Sequence, residues 1–342
     1  MDLRHRAFDL AFRAIALARA DRWAAPAARG RGVILTLHRV RQPKNDPFQP
    51  NRILEITPDF LDFAIGTMRR MGVDLVTMDE ALQRLRGGAE SFFAALTFDD
   101  GFRDTLEMAL PVLRRHAAPA TVYCVPGFAD GQAPLWWVDL EEAIRGLSRV
   151  ELEIEGEALA LTATTPQEKQ AAFESIYWKL RRLPEPDLRR IVAGLAARAG
   201  HDSEACVRRL CLDWEGLAQL AADPLITIGA HSMTHPRLGT LPADAARQEM
   251  QESRAVLENR LQTPVHHFAY PVGDAVSAGR RDYAMASEIG FASAVTTRPG
   301  HLHIRHRESL TALPRVSLNG LHQNARALRA LLSGLPFLGM RN

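Results

Sequence analysis

Phe93-Ala94-Ala95-Leu96-Thr97-Phe98-Asp99-Asp100-Gly101 is an apolar run that ends abruptly in two carboxylates and a glycine. Its length and composition suit a buried strand, and the glycine marks a turn behind it. Adjacent carboxylates repel, so a site that keeps both supplies a cation or separates their roles by pKa. One acid can then hold a metal while its neighbour serves as base. Asp-Asp-Gly is also ordinary turn chemistry, so the stretch needs company before it means a site.

Similar runs lie on either side: Val33–Leu37, Val73–Val76, Ala120–Val125, Leu225–Gly229, His266–Tyr270 and Phe291–Thr296. Between them lie segments of helical period: Asp59–Met71 behind Thr57 as cap, Asp79–Arg86, Asp104–His116, Asp244–Leu261 and Arg280–Ile289. Repeated strand–helix alternation predicts an α/β fold with a mostly parallel sheet covered on its faces. Pattern alone leaves open sheet and barrel both standing. The alternation breaks over 127–223, where Trp136 and Trp137, the acids Asp139, Glu141 and Glu142, an alternating patch Val150–Glu155 and Arg-rich helical sequence follow one another. This predicts a helical insertion after the fourth strand, with Lys179, Arg181, Arg182, Arg189 and Arg190 on a solvated face.

A second motif gives the carboxylates their company. Ile228-Gly229-Ala230-His231-Ser232-Met233-Thr234-His235-Pro236 places two histidines four apart behind another apolar run. On one helical turn both imidazoles reach one ion, and with one carboxylate they give the three protein ligands that leave a catalytic metal an open position. Two further runs end in Ala269-Tyr270-Pro271-Val272-Gly273 and in Thr36-Leu37-His38. The first is either plain turn chemistry or a turn that aims a backbone N–H at a developing oxyanion. All these features lie at the carboxyl ends of strands, where parallel α/β folds build their sites.

Thr97-Phe98-Asp99-Asp100-Gly101, then His231-Ser232-x-x-His235, then a strand and a Pro271-x-Gly273 turn resemble the polysaccharide deacetylases of carbohydrate esterase family four, the NodB-homology group. The resemblance spans roughly Gly32 to Gly320 without the insertion. It implies a distorted (β/α)7 barrel. It also implies that Asp100, His231 and His235 hold a divalent metal, zinc foremost and cobalt or manganese next, and that Asp99 is the general base. Val272 takes the position whose backbone N–H is the oxyanion donor. Tyr270, Pro271, Trp136 and Arg298 are the candidate substrate-binding residues, Trp136 and Trp137 either stacking on sugar rings or pinning the insertion to the barrel.

Two features depart from the family pattern. Ala269 stands where an arginine normally orients the catalytic aspartate, which leaves Arg298 as a candidate replacement against its reading as a surface residue. The late Leu-x-His motif that carries the general acid is not evident near the C-terminus. Some family members resemble circular permutants with that strand at the N-terminus, and here Leu35-Thr36-Leu37-His38 ends the first strand. The general acid is therefore assigned to His38, with His301, His303 and His306 read as a solvated basic loop.

Composition bounds the rest. The chain has 342 residues, 46% hydrophobic and 24% charged, with 42 basic and 40 acidic side chains. That balance gives no global field for nucleic acid, and neither a GxGxxG turn nor a phosphate loop is present. Cys124, Cys206 and Cys211 lack CxxC spacing, which fits a reducing compartment and reads as filler. Residues 1–31 form an amphipathic helical segment, 32–320 the barrel domain and 321–342 a C-terminal helix and tail. The expectation is a cytoplasmic protein, with residues 1–24 as the candidate peripheral contact to the inner membrane; oligomeric state is open. The function expected is removal of N-acetyl groups from an amino sugar in an oligo- or polysaccharide or a lipid-linked glycan precursor. The alternatives are a metal-dependent hydrolase of another amide or ester, and a non-catalytic carbohydrate-binding or scaffold member of the same fold.

Overall fold

The computed structural model describes residues 3–87 and 91–339. In chain order the strands are β1 (Gly32–Leu37), β2 (Arg39–Val40), β3 (Glu55–Ile56), β4 (Asp74–Val76), β5 (Phe93–Phe98), β6 (Ala120–Cys124), β7 (Arg149–Ile154), β8 (Glu157–Thr162), β9 (Ile226–Ala230), β10 (His267–Ala269), β11 (Ser293–Pro299) and β12 (Leu313–Ser317). The helices are α1 (Leu3–Leu17), α2 (Ala20–Trp23), α3 (Ala25–Ala28), α4 (Pro58–Arg70), α5 (Met78–Gly87), α6 (Leu110–Arg115), α7 (Pro126–Ala129), α8 (Trp136–Gly146), α9 (Pro166–Leu180), α10 (Glu185–Arg198), α11 (Ser203–Leu210), α12 (Trp214–Ala221), α13 (Ala243–Leu261), α14 (Arg280–Ile289) and α15 (Ala325–Ser333).

Parallel pairing runs β1-β12-β11-β10-β9-β6-β5 and returns from β5 to β1, closing a seven-stranded ring. β4 is not a stave of that ring. It pairs with the lower half of β5 (Asp74↔Phe93 to Val76↔Ala95), whereas β6 takes the upper half on the same side (Leu96↔Ala120 to Phe98↔Val122). The ring strand absent from the sequence reading is β12, which completes the ring between β1 and β11.

Alternation sorts the side chains. Val33, Leu35 and Leu37 of β1 and Ala94, Leu96 and Phe98 of β5 join the large core beneath the helices, while Ile34, Phe93 and Ala95 join a smaller cluster inside the ring. Helix α4 is entered as expected, with Thr57 Oγ1 accepting from the Phe60 N–H at 3.1 Å. The insertion between β6 and β9 carries its own apolar core around Trp136, Leu140, Phe173 and Leu188, and besides helices it contains the antiparallel hairpin β7–β8. The patch read as Val150–Glu155 is the first arm of that hairpin. At the termini α1 packs on α15, with Phe12 buried edge-on against His322 at 5.1 Å.

Candidate active site

On β1, β5, β9 and β12 the inward phase ends in a polar group at the carboxyl mouth of the ring. Ile34 and Thr36 precede His38; Phe93, Ala95 and Thr97 precede Asp99; Leu313 precedes Arg315. On β9 the outward residues are Ile226, Ile228 and Ala230, so His231 falls in the inward phase. These groups meet. Asp100 Oδ1 lies 3.4 Å from His231 Nε2 and 3.3 Å from His235 Nε2, all three side chains being buried. His231 Nδ1–H donates to the Ala269 carbonyl at 2.7 Å, which leaves Nε2 as its ligand atom.

Asp100 Oδ1 is buried without a hydrogen-bond partner among the described residues. Such an atom is costly unless a cation or donor completes it. One carboxylate and two imidazoles converging on an orphaned oxygen fit a divalent metal. Burial alone would raise the Asp100 pKa, but the His231 and His235 imidazoles beside it hold it well below the usual carboxylate range.

Backbone strain concentrates on this rim. Asp100, Ser232, His235 and Val272 have φ of 75°, 62°, 60° and 61°, a region costly for side-chain-bearing residues and especially for a β-branched one. The two histidines therefore do not ride a helical turn, as the spacing had suggested. They sit on an irregular loop after β9, folded back by the His235 N–H donating to Ser232 Oγ at 3.0 Å. A reversing loop brings i and i+4 to one ion as effectively as a helix does.

Asp99 is gripped by an arginine that sequence reasoning missed. Arg315, fully buried, donates from Nη1 to Asp99 Oδ1 at 2.7 Å and from Nη2 to Oδ2 at 2.6 Å, while its Nε donates to the Thr296 carbonyl at 2.9 Å. Burial would raise the Asp99 pKa, but the Arg315 charge and then the His231 imidazole bring it below the ordinary value. Arg298 does not do this work: its guanidinium donates to the Ala278 carbonyl at 3.2 Å and lies over the Tyr283 ring. His38 Nε2 stands 3.9 Å from Asp99 Oδ2 with its ring partly exposed at the mouth. Asp104 fixes the chain leaving β1, accepting from Arg39 Nε at 2.8 Å and from the Val40 N–H at 3.0 Å.

Other expectations need correction. Tyr270 is on the outward phase of β10, buried under the helix layer with its hydroxyl donating to the Thr311 carbonyl at 2.8 Å. It cannot touch a substrate at the mouth. Pro271 is buried in the turn, whereas Val272 is half-buried at the rim. Trp136 is buried in the insertion's own core, stacked on Tyr177 at 5.3 Å, while its neighbour Trp137 reaches the site, packing on the His235 ring at 4.9 Å. His301 and His306 are buried rather than solvated, His301 lying 2.8 Å from both the Arg29 and Leu331 carbonyls.

Comparison with known proteins agrees with this geometry. The profile of the polysaccharide deacetylase family matches residues 87–291. No curated protein sequence matches the chain. Among solved structures it is similar to the Streptococcus pyogenes deacetylase PplD in complex with acetate, at 16% identity and TM-score 0.56 over 85% of this chain and 94% of that one. It is similar also to IcaB from Ammonifex degensii, at 16% identity and TM-score 0.55 over 89% and 97%. A polysaccharide deacetylase from Bacillus cereus gives 16% and 0.52 over 88% and 69%. At such identities the structures speak for the fold, and the family profile, which spans both the Asp99-Asp100 and the His231–His235 motifs, carries the assignment: the chain belongs to the polysaccharide deacetylase family and hydrolyses N-acetyl groups of sugars.

Proposed function

We propose that the chain removes acetyl groups from N-acetylated amino sugars of an oligo- or polysaccharide or a lipid-linked glycan precursor, using zinc held by Asp100, His231 and His235. The observation that carries this reading is the convergence of that ligand set with an arginine-clamped Asp99 and with His38 at one mouth of the ring. A bound divalent metal supplies Lewis-acid polarisation of the acetyl carbonyl and acidifies water at the site. Asp99, kept ionised by Arg315, accepts the proton of the attacking water. The Val272 N–H, presented by the strained turn after β10, donates to the developing oxyanion. His38 then protonates the departing amine, which leaves poorly without a proton. Its place on the first strand suits a permuted arrangement of the family's motifs. A non-catalytic binding module would have no use for a buried arginine locking one carboxylate beside a metal set.

The membrane side of the proposal rests on α1 and α2. Leu10, Leu17 and Trp23 are 67%, 86% and 72% exposed, with Arg13, Arg19 and Arg22 exposed among them. Such a face suits peripheral contact with an anionic bilayer, on the cytoplasmic side where lipid-linked precursors are handled. Sedimentation with anionic vesicles, lost in a Leu17→Glu, Trp23→Glu variant, tests it.

Acetate release from N-acetylglucosamine oligomers and lipid-linked acetamido sugars, measured after chelation and again after zinc restoration, tests the activity. Zinc-dependent release from at least one class is expected. A zinc-loaded protein that cleaves activated acetate esters but no N-acetyl sugar would overturn the amide assignment. His38→Ala should slow amide hydrolysis far more than hydrolysis of an activated ester, and an unchanged ratio would remove His38 from its role.

A further inference from the structure

Away from the mouth, the insertion contains a second convergence of metal-binding side chains. Asp139 on α8, His201 in the link between α10 and α11, and Cys206 on α11 each offer a ligand atom, and these atoms all lie within 4.8 Å of one another. Asp139 and Cys206 are buried, and His201 is largely so. Asp139 Oδ1 and His201 Nε2 are 2.9 Å apart. Glu142, one helical turn beyond Asp139, deepens the negative field at both Asp139 and Cys206. Arg209, on a residue exposed to solvent, donates from Nη2 to Cys206 Sγ at 3.5 Å, a contact that an ion bound at the thiolate would replace.

A hydrogen-bonded Asp139–His201 pair would explain two of these groups but not the thiol within 4.8 Å of both. A nucleophilic Cys–His–Asp reading fails on access and on chemistry. Cys206 is 0% exposed, and burial pushes its thiol up to about 11, the reverse of an activated nucleophile. A borderline-soft divalent ion satisfies all three. The carboxylate and the thiolate together neutralise its charge in a buried place, and the imidazole adds a donor without adding charge. Binding releases the thiol proton to solvent, one proton per ion, with no change of oxidation state.

We infer that Asp139, His201 and Cys206 supply three protein ligands of a second zinc site, separate from the catalytic set, that ties α8 to α11. Its place in the fold gives it leverage on both walls of the mouth. Helix α8 carries Trp137 against the His235 ring. The residues just beyond α11 hold the Asp100 turn, the Leu212 N–H donating to the Gly101 carbonyl at 3.0 Å and Cys211 bridging to Phe102.

The test uses the full chain and cobalt as probe, because a thiolate ligand gives cobalt(II) a near-ultraviolet charge-transfer band that the sulfur-free set of Asp100, His231 and His235 lacks. Titration of chelated protein should reach two equivalents, with the band present in the wild type and in a His231→Ala, His235→Ala variant. Cys206→Ser should abolish the band, remove one equivalent and lower the melting temperature, while Cys211→Ser should retain the band. Zinc analysis should parallel the cobalt count. A single equivalent in the wild type, absence of the band, or a band that survives Cys206→Ser would each overturn the inference.

Discussion

Replacing Arg315 by methionine, which keeps most of the side-chain length, leaves Asp99 buried without its counter-charge. Breaking a buried ion pair in this way costs about 3–5 kcal/mol, most of it the penalty on the surviving charge. Here the pair is bidentate at 2.7 and 2.6 Å, and Arg315 also serves Thr97 Oγ1 at 3.1 Å and the Thr296 carbonyl, so the upper part of that range is expected. Asp99→Asn leaves the converse, a buried guanidinium facing a neutral amide, with a similar cost. The double variant removes both charges and should cost only ~1–3 kcal/mol for lost hydrogen bonds and packing. The cycle therefore carries a coupling of at least about 3 kcal/mol, well outside the ~0.5 kcal/mol scatter of independent sites.

Urea unfolding of the metal-free proteins is the assay, since a bound ion would add its own binding energy to the folded state. A typical stability of about 5–15 kcal/mol leaves room for each single variant to be measured. Arg315→Lys completes the set: it keeps the charge but not the planar fork, so it should recover stability better than activity. Catalysis should fall roughly a hundredfold or more in Arg315→Met, the range for a mispositioned base. Additivity of the two single variants within ~0.5 kcal/mol would refute the reasoning.

His235→Ala should lose the catalytic metal while far-ultraviolet circular dichroism stays native, because its loop is irregular and its packing local; retained metal at full occupancy would count against the ligand set. Trp137→Ala should weaken metal affinity by exposing the His235 ring and cost about 3–5 kcal/mol, whereas Trp136→Ala should cost similar stability with metal affinity unchanged. His306 is held at about 4 by burial and by the neighbouring Arg305 charge, and its Nδ1 accepts the His303 N–H at 2.9 Å, so it folds as the neutral ring. The unfolded chain takes up that proton near 6.5, so the stability tied to His306 is complete above that pH and drains as pH falls toward 4. Full linkage would be about 3 kcal/mol, and solvent screening reduces it to ~1–2 kcal/mol. A His306→Asn variant, compared with wild type by denaturation between these pH values, should show a flatter dependence.

What could be read from sequence was what alternates. Apolar runs ending in Asp99-Asp100-Gly101 and His231 announced staves of a parallel sheet with polar mouths, and the rim residues followed. β12 escaped because Leu313-Pro314-Arg315-Val316-Ser317 carries a proline, which cannot donate to a ladder, and a charge. The fold accommodates that proline where the β11–β12 register shifts between Val295 and Pro299. Arg315 then points into the ring, and only its contact with Asp99, 216 residues away in sequence, shows why. Tyr270 was misjudged although the signal was present: if Ala269 faces inward beside His231, its neighbour must face out. The left-handed turns at Ser232 and Val272 had no such signal, since neither residue type favours them, and tertiary contacts impose the strain.

In a closed ring, the place of a strand in the chain does not decide what its end can touch; neighbour and register do. β1 pairs with β5 from Gly32↔Phe93 through Leu37↔Phe98, so the next step along that register sets His38 beside Asp99. Adjacent staves lie about 4.8 Å apart, and two inward side chains at that spacing can approach to the 3.9 Å seen between imidazole and carboxylate. A one-residue slip would send the imidazole to the outer face, under the helices. Exchanging the two residues, Leu37→His with His38→Leu, tests this with composition unchanged. The swapped protein should lose amide hydrolysis as completely as His38→Ala, keep its catalytic metal, and lose stability besides, because a polar ring then sits in the outer core where Leu37 was buried. Amide hydrolysis at the wild-type rate in the swapped protein would show that the proton comes from somewhere other than the end of β1.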